Sequence, residues 1–417
     1  MVAILGYSRE QIFAAVQDMY TAVARNPEGH FHFPVGRPAA RAVGYPEQQL
    51  ALLPEDQWAA FAGVGHPFSA GTIARGDAVL DIGAGAGNDA LLAGAMAGPE
   101  GRVVALDLTA AMTRRLRAAA TRTGADNVDV VQGSAERLPL ASESIDVVTS
   151  NGALNLVPDK RRAVREMFRV LRPGGRLQIA DIVIDRPVTV DCHTDPRLWV
   201  ECVVGATVDE DFVHMFRDAG FEDVEVTRTL DYFALSPSAQ TREIASTFGA
   251  RSIEVSMRRA ERAPSRLRAW LRRLGPRRVL ARLWRRGFGG VLALLLAVLS
   301  CYGTLAAVAL LAMAGAGRTI DEGLWSGAIA LFTLLTVGAI AAGMRNHGAP
   351  GATALALAGA GAILYALFVD YSMLLEASGF VLLAVAVGRD IVLRRREESR
   401  VLGLDSPHGR PAADTAR

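Results

Sequence analysis

Apolar residues follow two different rhythms along this chain. Up to about residue 257, short β-branched runs alternate with amphipathic stretches. AVLDIG (78–83), RVVALDL (102–108), VDVVQG (128–133), IDVVTSN (145–151) and RLQIADIV (176–183) are each bounded by Gly, Asp or polar residues. Runs of this length and composition predict strands. Between them lie helix patterns such as DKRRAVREMFRVL (159–171), closed by the Pro–Gly stop RPGG. Strands alternating with helices predict a doubly wound α/β sheet, mostly parallel, with right-handed crossovers. Residues 8–62 predict a helical lead-in with loops around NPEGHFHFPVGRP, and no internal repeat is visible.

Beyond Gly287 the rhythm is lost and long apolar runs take over. Residues 289–313, 324–343, 351–369 and 374–393 are four such stretches, the last interrupted by Glu376. Each is close to the roughly 18–20 residues that cross a bilayer. Four runs in so short a segment leave little polar face for water, so an all-α, four-span transmembrane domain is expected. The polar residues 394–417 read as a disordered tail.

Charge sharpens this division. Arg258–Arg286 holds 12 arginines against one acid, Glu261, whereas the whole chain is only +2. Within it, Leu267, Trp270, Leu271 and Leu274 recur at helical spacing, and Pro276 restarts a second short helix bearing Val279, Leu280, Leu283 and Trp284. An arginine-backed apolar stripe predicts an interfacial helix on anionic lipid over residues 258–288; a solvated basic linker is the alternative. A nucleic-acid surface is not expected, because the adjoining span already accounts for the arginines. Basic clusters before the first span and after the last predict a multi-pass protein of the plasma membrane, its soluble half and both termini cytoplasmic. Lys160 is the only lysine. Three cysteines, Cys192, Cys202 and Cys301, make no disulfide framework, and the N-terminus has no signal-peptide pattern.

The chemistry lies in the first half. VLDIGAGAGND places Gly83, Gly85 and Gly87 directly after a strand, with Asn88 where a dinucleotide fingerprint wants glycine. Glycine there lets the backbone approach a ligand. Asp107 ends the next strand, where an acid can hold a ribose diol. Asp81, the three glycines and this second acid form the pattern of S-adenosylmethionine (SAM)-dependent methyltransferases. GSAERLP after the third strand and VLRPGGRL before the fifth strengthen it. No Ser/His/Asp triad or metal cluster stands out. His30 and His32 are candidates for an acceptor pocket, with ordinary structural roles as the alternative.

Here the chain resembles a known family. FAGVGHPFSAG, VLDIGAGAGNDALL, GPEGRVVALDLTAAM, SNGALNLVPDKRRAVREMFRVLRPGGRLQIADIVIDRP, DPRLWVECVVGA and FRDAGFEDVEV together look like arsenite methyltransferase-type enzymes of the class I fold, over residues 12–257. The resemblance implies a SAM cofactor and a small-molecule acceptor. It implies that Asp81, Gly83, Ala84 and Gly85 shape the cofactor pocket, that Asp107 holds the ribose, and that Leu108 is also cofactor-binding. Met112, Ala135 and Glu136 would border the adenine, and Asn151 the methionine end. Family enzymes hold As(III) on cysteine thiolates, one upstream of the glycine motif, one in SNC and one in GEC. This chain keeps the last, Cys202; Gly152 replaces the second, VGHPF has none, and Cys192 is a candidate partner. The membrane half is similar to MerC-type four-helix proteins through LSCYGTLAAVALL, though Cys301 there is single.

These readings divide the chain into a methyltransferase domain (1–257), an arginine-rich linker (258–288), a transmembrane domain (289–393) and a tail (394–417). The expected activity is methyl transfer from SAM to a small acceptor such as As(III), by an enzyme tethered to the membrane. A lipid or other apolar acceptor is one alternative. A metal or metalloid transport module with a SAM-binding cytoplasmic domain is another.

Overall fold

The computed structural model describes residues 8–71, 73–188, 199, 203–262, 288–299 and 322–402. The chain divides into two compact units, residues 1–274 and 275–417.

The first unit is built on one sheet of eight strands. In chain order its elements are α1 (Arg9–Arg25), α2 (Arg37–Ala42), α3 (Glu47–Leu50), β1 (Ala78–Ile82), α4 (Asn88–Ala97), β2 (Arg102–Asp107), α5 (Ala110–Thr123), β3 (Val128–Gln132), β4 (Ile145–Asn151), α6 (Lys160–Val170), β5 (Leu171–Ile184), β6 (Thr207–Val208), α7 (Asp209–Ala219), β7 (Phe221–Leu230), α8 (Ala239–Phe248) and β8 (Arg251–Arg259). The strand order is β3-β2-β1-β4-β5-β8-β7, with β6 paired to β5. β1 to β5 run parallel, while β8 is antiparallel to both β5 and β7. This is the doubly wound α/β fold expected. The chain leaves β1 toward β2 on one side and reaches β4 on the other, which opens a crevice at the strands' carboxyl ends.

The five expected strands all form; β1, β2 and β4 are apolar runs buried on both faces, while β3 is a more exposed edge strand. Leu80, Ile82, Val104, Leu106, Val148, Leu177 and Ile179 share one core with Val164, Met167 and Phe168 of α6. Helix α6 ends at Val170, and the RPGG segment carries a register shift before Arg176 pairs with Val147. α1 is held at its start by a capping box, in which Ser8 and Gln11 bond each other's backbone N–H.

The sequence boundary at 257 needs correction. β8 continues through Arg258 and Arg259, so the expected linker begins inside a strand. Arg259 is buried: it lies 4.7 Å over the Phe168 ring, donates to the Leu171 carbonyl and pairs with Glu143 at 2.6 Å. A guanidinium so placed belongs to the core, whatever its neighbours in the arginine run. Residues 263–287, the rest of the expected interfacial helix, lie outside the described residues, as does Cys301.

The second unit, taken by itself, contains α9 (Gly289–Val298), α10 (Glu322–His347), α11 (Gly351–Phe368) and α12 (Met373–Val401). Gly359 and Gly379 let α11 and α12 touch backbone to backbone, since a Cβ on either would come within 2.8 Å of the other's carbonyl. Leu331, Leu334, Leu335, Leu357 and Val381 face outward. Among the described residues two helices, Ser326–Arg345 and Gly351–Phe368, are long and apolar enough to cross a membrane. The tail expected from residue 394 is instead helical as far as Val401, with Arg394 bonded to Asp390 one turn back at 2.8 Å. Buried charges are also found here, Glu376 and Asp390, the latter 3.0 Å from His347.

Candidate active site

A cavity of about 940 Å³, open mouth included, lies at the carboxyl ends of β1, β2 and β4. Its floor is the turn after β1. Gly83, Gly85 and Gly87 take φ of +74°, +54° and +99°, which side-chain-bearing residues rarely adopt. At Gly85 a Cβ would meet nothing of the protein closer than 3.9 Å, so the cavity is what a side chain there would enter.

Asp107 fixes this turn. Its carboxylate accepts Gly85 N–H at 2.9 Å through one oxygen and Thr109 N–H at 2.7 Å through the other. Burial pushes its carboxyl above the usual carboxylate range, and the two backbone donors pull it back.

At the opposite end, Asn151 closes β4. Its side-chain oxygen accepts Val64 N–H at 2.8 Å and Gly65 N–H at 3.2 Å, while its amide nitrogen donates to Asp89 at 3.0 Å. Asp89, in the first turn of α4, also receives the Tyr45 hydroxyl and lines the cavity. Burial raises Asp89 to about 6 against the pull of these two donors. The same burial, together with Asp89, raises the Tyr45 phenol. Tyr45 stands among Trp58, Phe61 and His66, rings that dry this end.

Of the expected pocket residues, Gly83, Ala84, Gly85, Asp107, Leu108, Met112, Ala135 and Asn151 all line the cavity. Asp81 and Glu136 do not. Asp81 is buried in β1 beneath the turn, one oxygen accepting from Thr149 at 3.0 Å and the other without a hydrogen-bond partner among the described residues. Desolvation and neighbouring Asp89 raise it well above its ordinary value. Glu136 instead accepts Asp159 N–H at 2.8 Å and pairs with Arg9 at 2.5 Å. His30 and His32 are absent from the wall too. Cys192 and Cys202 lie outside the described residues. At Gly152, where the resemblance puts the SNC thiol, a Cβ would stand 3.2 Å from a methyl of Val64.

Three contributions were missed in the sequence. α1 supplies Phe13, Val16 and Tyr20 as a roof, and Gln17 donates to the Leu108 carbonyl at 3.3 Å. Phe61 and Gly63 form a side wall. Asp89 follows the glycine motif at a helix start, and that placement was the available signal.

The residues fit SAM. The turn admits a ligand against its backbone, Asp107 suits a diol, the roof and Met112 suit a flat apolar ring, and Asp89 suits a cation.

Residues 73–220 match a family model described as a methyltransferase domain, and residues 289–392 match the MerC mercury resistance protein model. An arsenite methyltransferase of Halobacterium salinarum is 42% identical over 39% of this chain and 42% of its own length. A ubiquinone/menaquinone biosynthesis C-methyltransferase of Enterobacter sp. is 38% identical over 37% of this chain and 69% of its own. A crystal structure of an arsenic (III) S-adenosylmethionine methyltransferase from Chlamydomonas reinhardtii is 30% identical, covering 56% of this chain and 75% of that one at TM-score 0.42. The chain spans less than half the length of the halobacterial relative.

Proposed function

The chain belongs to the SAM-dependent methyltransferases, and from that premise we propose that it transfers the SAM methyl group to a small soft acceptor, As(III) foremost, at a membrane surface. The observation that carries this is Asp107 clasped to the Gly85 backbone at the crevice between β1 and β4. Bound SAM supplies an electrophilic methyl on a sulfonium. The protein's part is alignment and exclusion of water, which is where the rate of such a displacement comes from. Asp107 holds one end of the cofactor, and Asp89, fixed by Tyr45 and Asn151, faces the cationic other end. The roof of Phe13, Val16 and Tyr20 excludes water.

As(III) is soft and needs at least two thiolates. In the soluble half only Cys192 and Cys202 can supply them. Full-length protein given methyl-labelled SAM, arsenite and glutathione is expected to yield labelled methylarsenic. Cys192→Ser and Cys202→Ser should each abolish the product and leave SAM binding unchanged. If both variants still methylate arsenite, the two thiols are not its ligands.

A second reading has one observation in its favour. Val64 beside Gly152 gives this end an apolar contact where the family pattern has sulfur. An apolar acceptor drawn from the bilayer fits such a wall. Label passing into a lipid extract, with none into arsenite, would select it. The MerC-type unit serves both readings as the membrane anchor, spanning four times.

A further inference from the structure

Lys160 lies outside the cavity wall, yet it is the chain's only lysine and it is buried. It opens α6, directly after the loop that carries Leu156 and Val157, two residues of the cavity wall. Its ammonium donates to the Val157 carbonyl at 2.9 Å and lies 4.6 Å from the centre of the Trp199 ring. Trp199, equally buried, donates its indole N–H to the Leu156 carbonyl at 3.1 Å. Gly205 closes the other side, where a Cβ would come within 3.1 Å of the indole. Two adjacent wall residues therefore point their carbonyls at one lysine–tryptophan pair. Trp199 belongs to the DPRLWVEC stretch, three residues before Cys202 in the sequence.

We propose that Lys160 is a positioning residue: its ammonium clamps Trp199 to Leu156 and Val157 and so fixes that part of the cofactor cavity's wall. This rests on the methyltransferase reading. A buried cation over an indole face is attractive only while it is charged. The groups facing the ammonium are Asp181 of β5, Glu136, itself paired with Arg9, and Asp159 at the start of α6. Asp181 is anchored by Asn155 N–H at 3.0 Å and Ile182 N–H at 2.7 Å, so it cannot swing away to follow the lysine. Burial nevertheless outweighs these three acids and brings Lys160 down to about 7. The clamp is thus closed below neutral pH and released above it. A lysine at the surface would stay charged to far higher pH and hold the ring throughout.

The test uses the full-length protein in detergent, labelled with 5-fluorotryptophan, the Trp199 resonance being assigned with Trp199→Phe. The wild-type resonance is expected to titrate with a midpoint near pH 7. It should be pH-independent in Lys160→Met, and in Lys160→Arg, whose guanidinium keeps its charge. SAM affinity, read by calorimetry, should stay within about twofold in both variants, which also shows them folded. With arsenite as the probe acceptor, methyl transfer at pH 6.5 should fall about tenfold in Lys160→Met, chiefly in kcat, and recover in Lys160→Arg. A Trp199 resonance that does not titrate in the wild type, or that titrates unchanged in Lys160→Met, would overturn the clamp. So would a parallel loss of SAM affinity in Lys160→Met, because Lys160 would then be merely structural. If the wild type ignores arsenite while Trp199 titrates as described, the acceptor assignment fails and the clamp stands.

Discussion

At the scale of single residues, the cofactor end of the site was legible and its electrostatics were not. Gly83, Gly85 and Asp107 announce themselves because a backbone at positive φ and a strand-terminal acid are local requirements. Asp81 and Glu136 belong to the same motifs, but a motif does not say which way a carboxylate faces, and both face protein. Asp89 depends on Tyr45, 44 positions away, a contact only folding creates. Two predictions follow from these acids. Asp107→Ala should weaken SAM binding by about 1.5–3 kcal/mol, the scale of charge-assisted hydrogen bonds, with an unchanged circular dichroism spectrum. Asp89, raised to about 6 when the site is empty, gains its charge as pH rises through that value. A cationic ligand selects the charged form, so SAM affinity should rise from pH 5 to pH 7.5 by roughly tenfold. Asp89→Asn should flatten that rise; an identical pH profile in the variant would remove Asp89 from the cation's surroundings.

Elements were readable where their burial was uniform. β1, β2 and β4 are mostly apolar and buried, as central parallel strands between two helical layers must be. β7 and β8 escaped notice for opposite reasons. β7 is an edge strand with its residues largely exposed, and β8 alternates buried Ile253 and Val255 with polar neighbours before ending in two arginines. Reading Arg258 and Arg259 as linker followed from counting charge without asking what each guanidinium meets. The roof helix was legible only as part of a helical lead-in over residues 8–62, and not as part of the site. Its role is open to measurement. Phe13→Ala should cost about 1 kcal/mol of SAM affinity, a fraction of what burying a phenylalanine contributes. Unaltered binding by calorimetry would mean that α1 covers the cavity without touching its ligand.

For the whole molecule, the composition changes after Gly287, while the structure separates two units between residues 274 and 275. What composition overran was the end of the last helix. α12 continues to Val401 through polar residues, stabilised by pairs such as Arg394–Asp390 and Arg400–Glu397 spaced for a helix face. With four spans, reporters fused after residue 262 and at the C-terminus should both report the cytoplasm, and one at residue 320 the far side. Opposite readings from the two ends would reduce the count to an odd number.

The central claim is that the turn after β1 is a SAM site. Calorimetric titration of SAM into the full-length protein, beside Gly85→Val, addresses it directly. Valine at φ +54° would put its side chain into the space the cofactor needs. Saturable one-to-one binding to the wild type, lost in a Gly85→Val protein of unchanged circular dichroism, is the predicted result. No binding to the wild type, or equal binding to both, would contradict it.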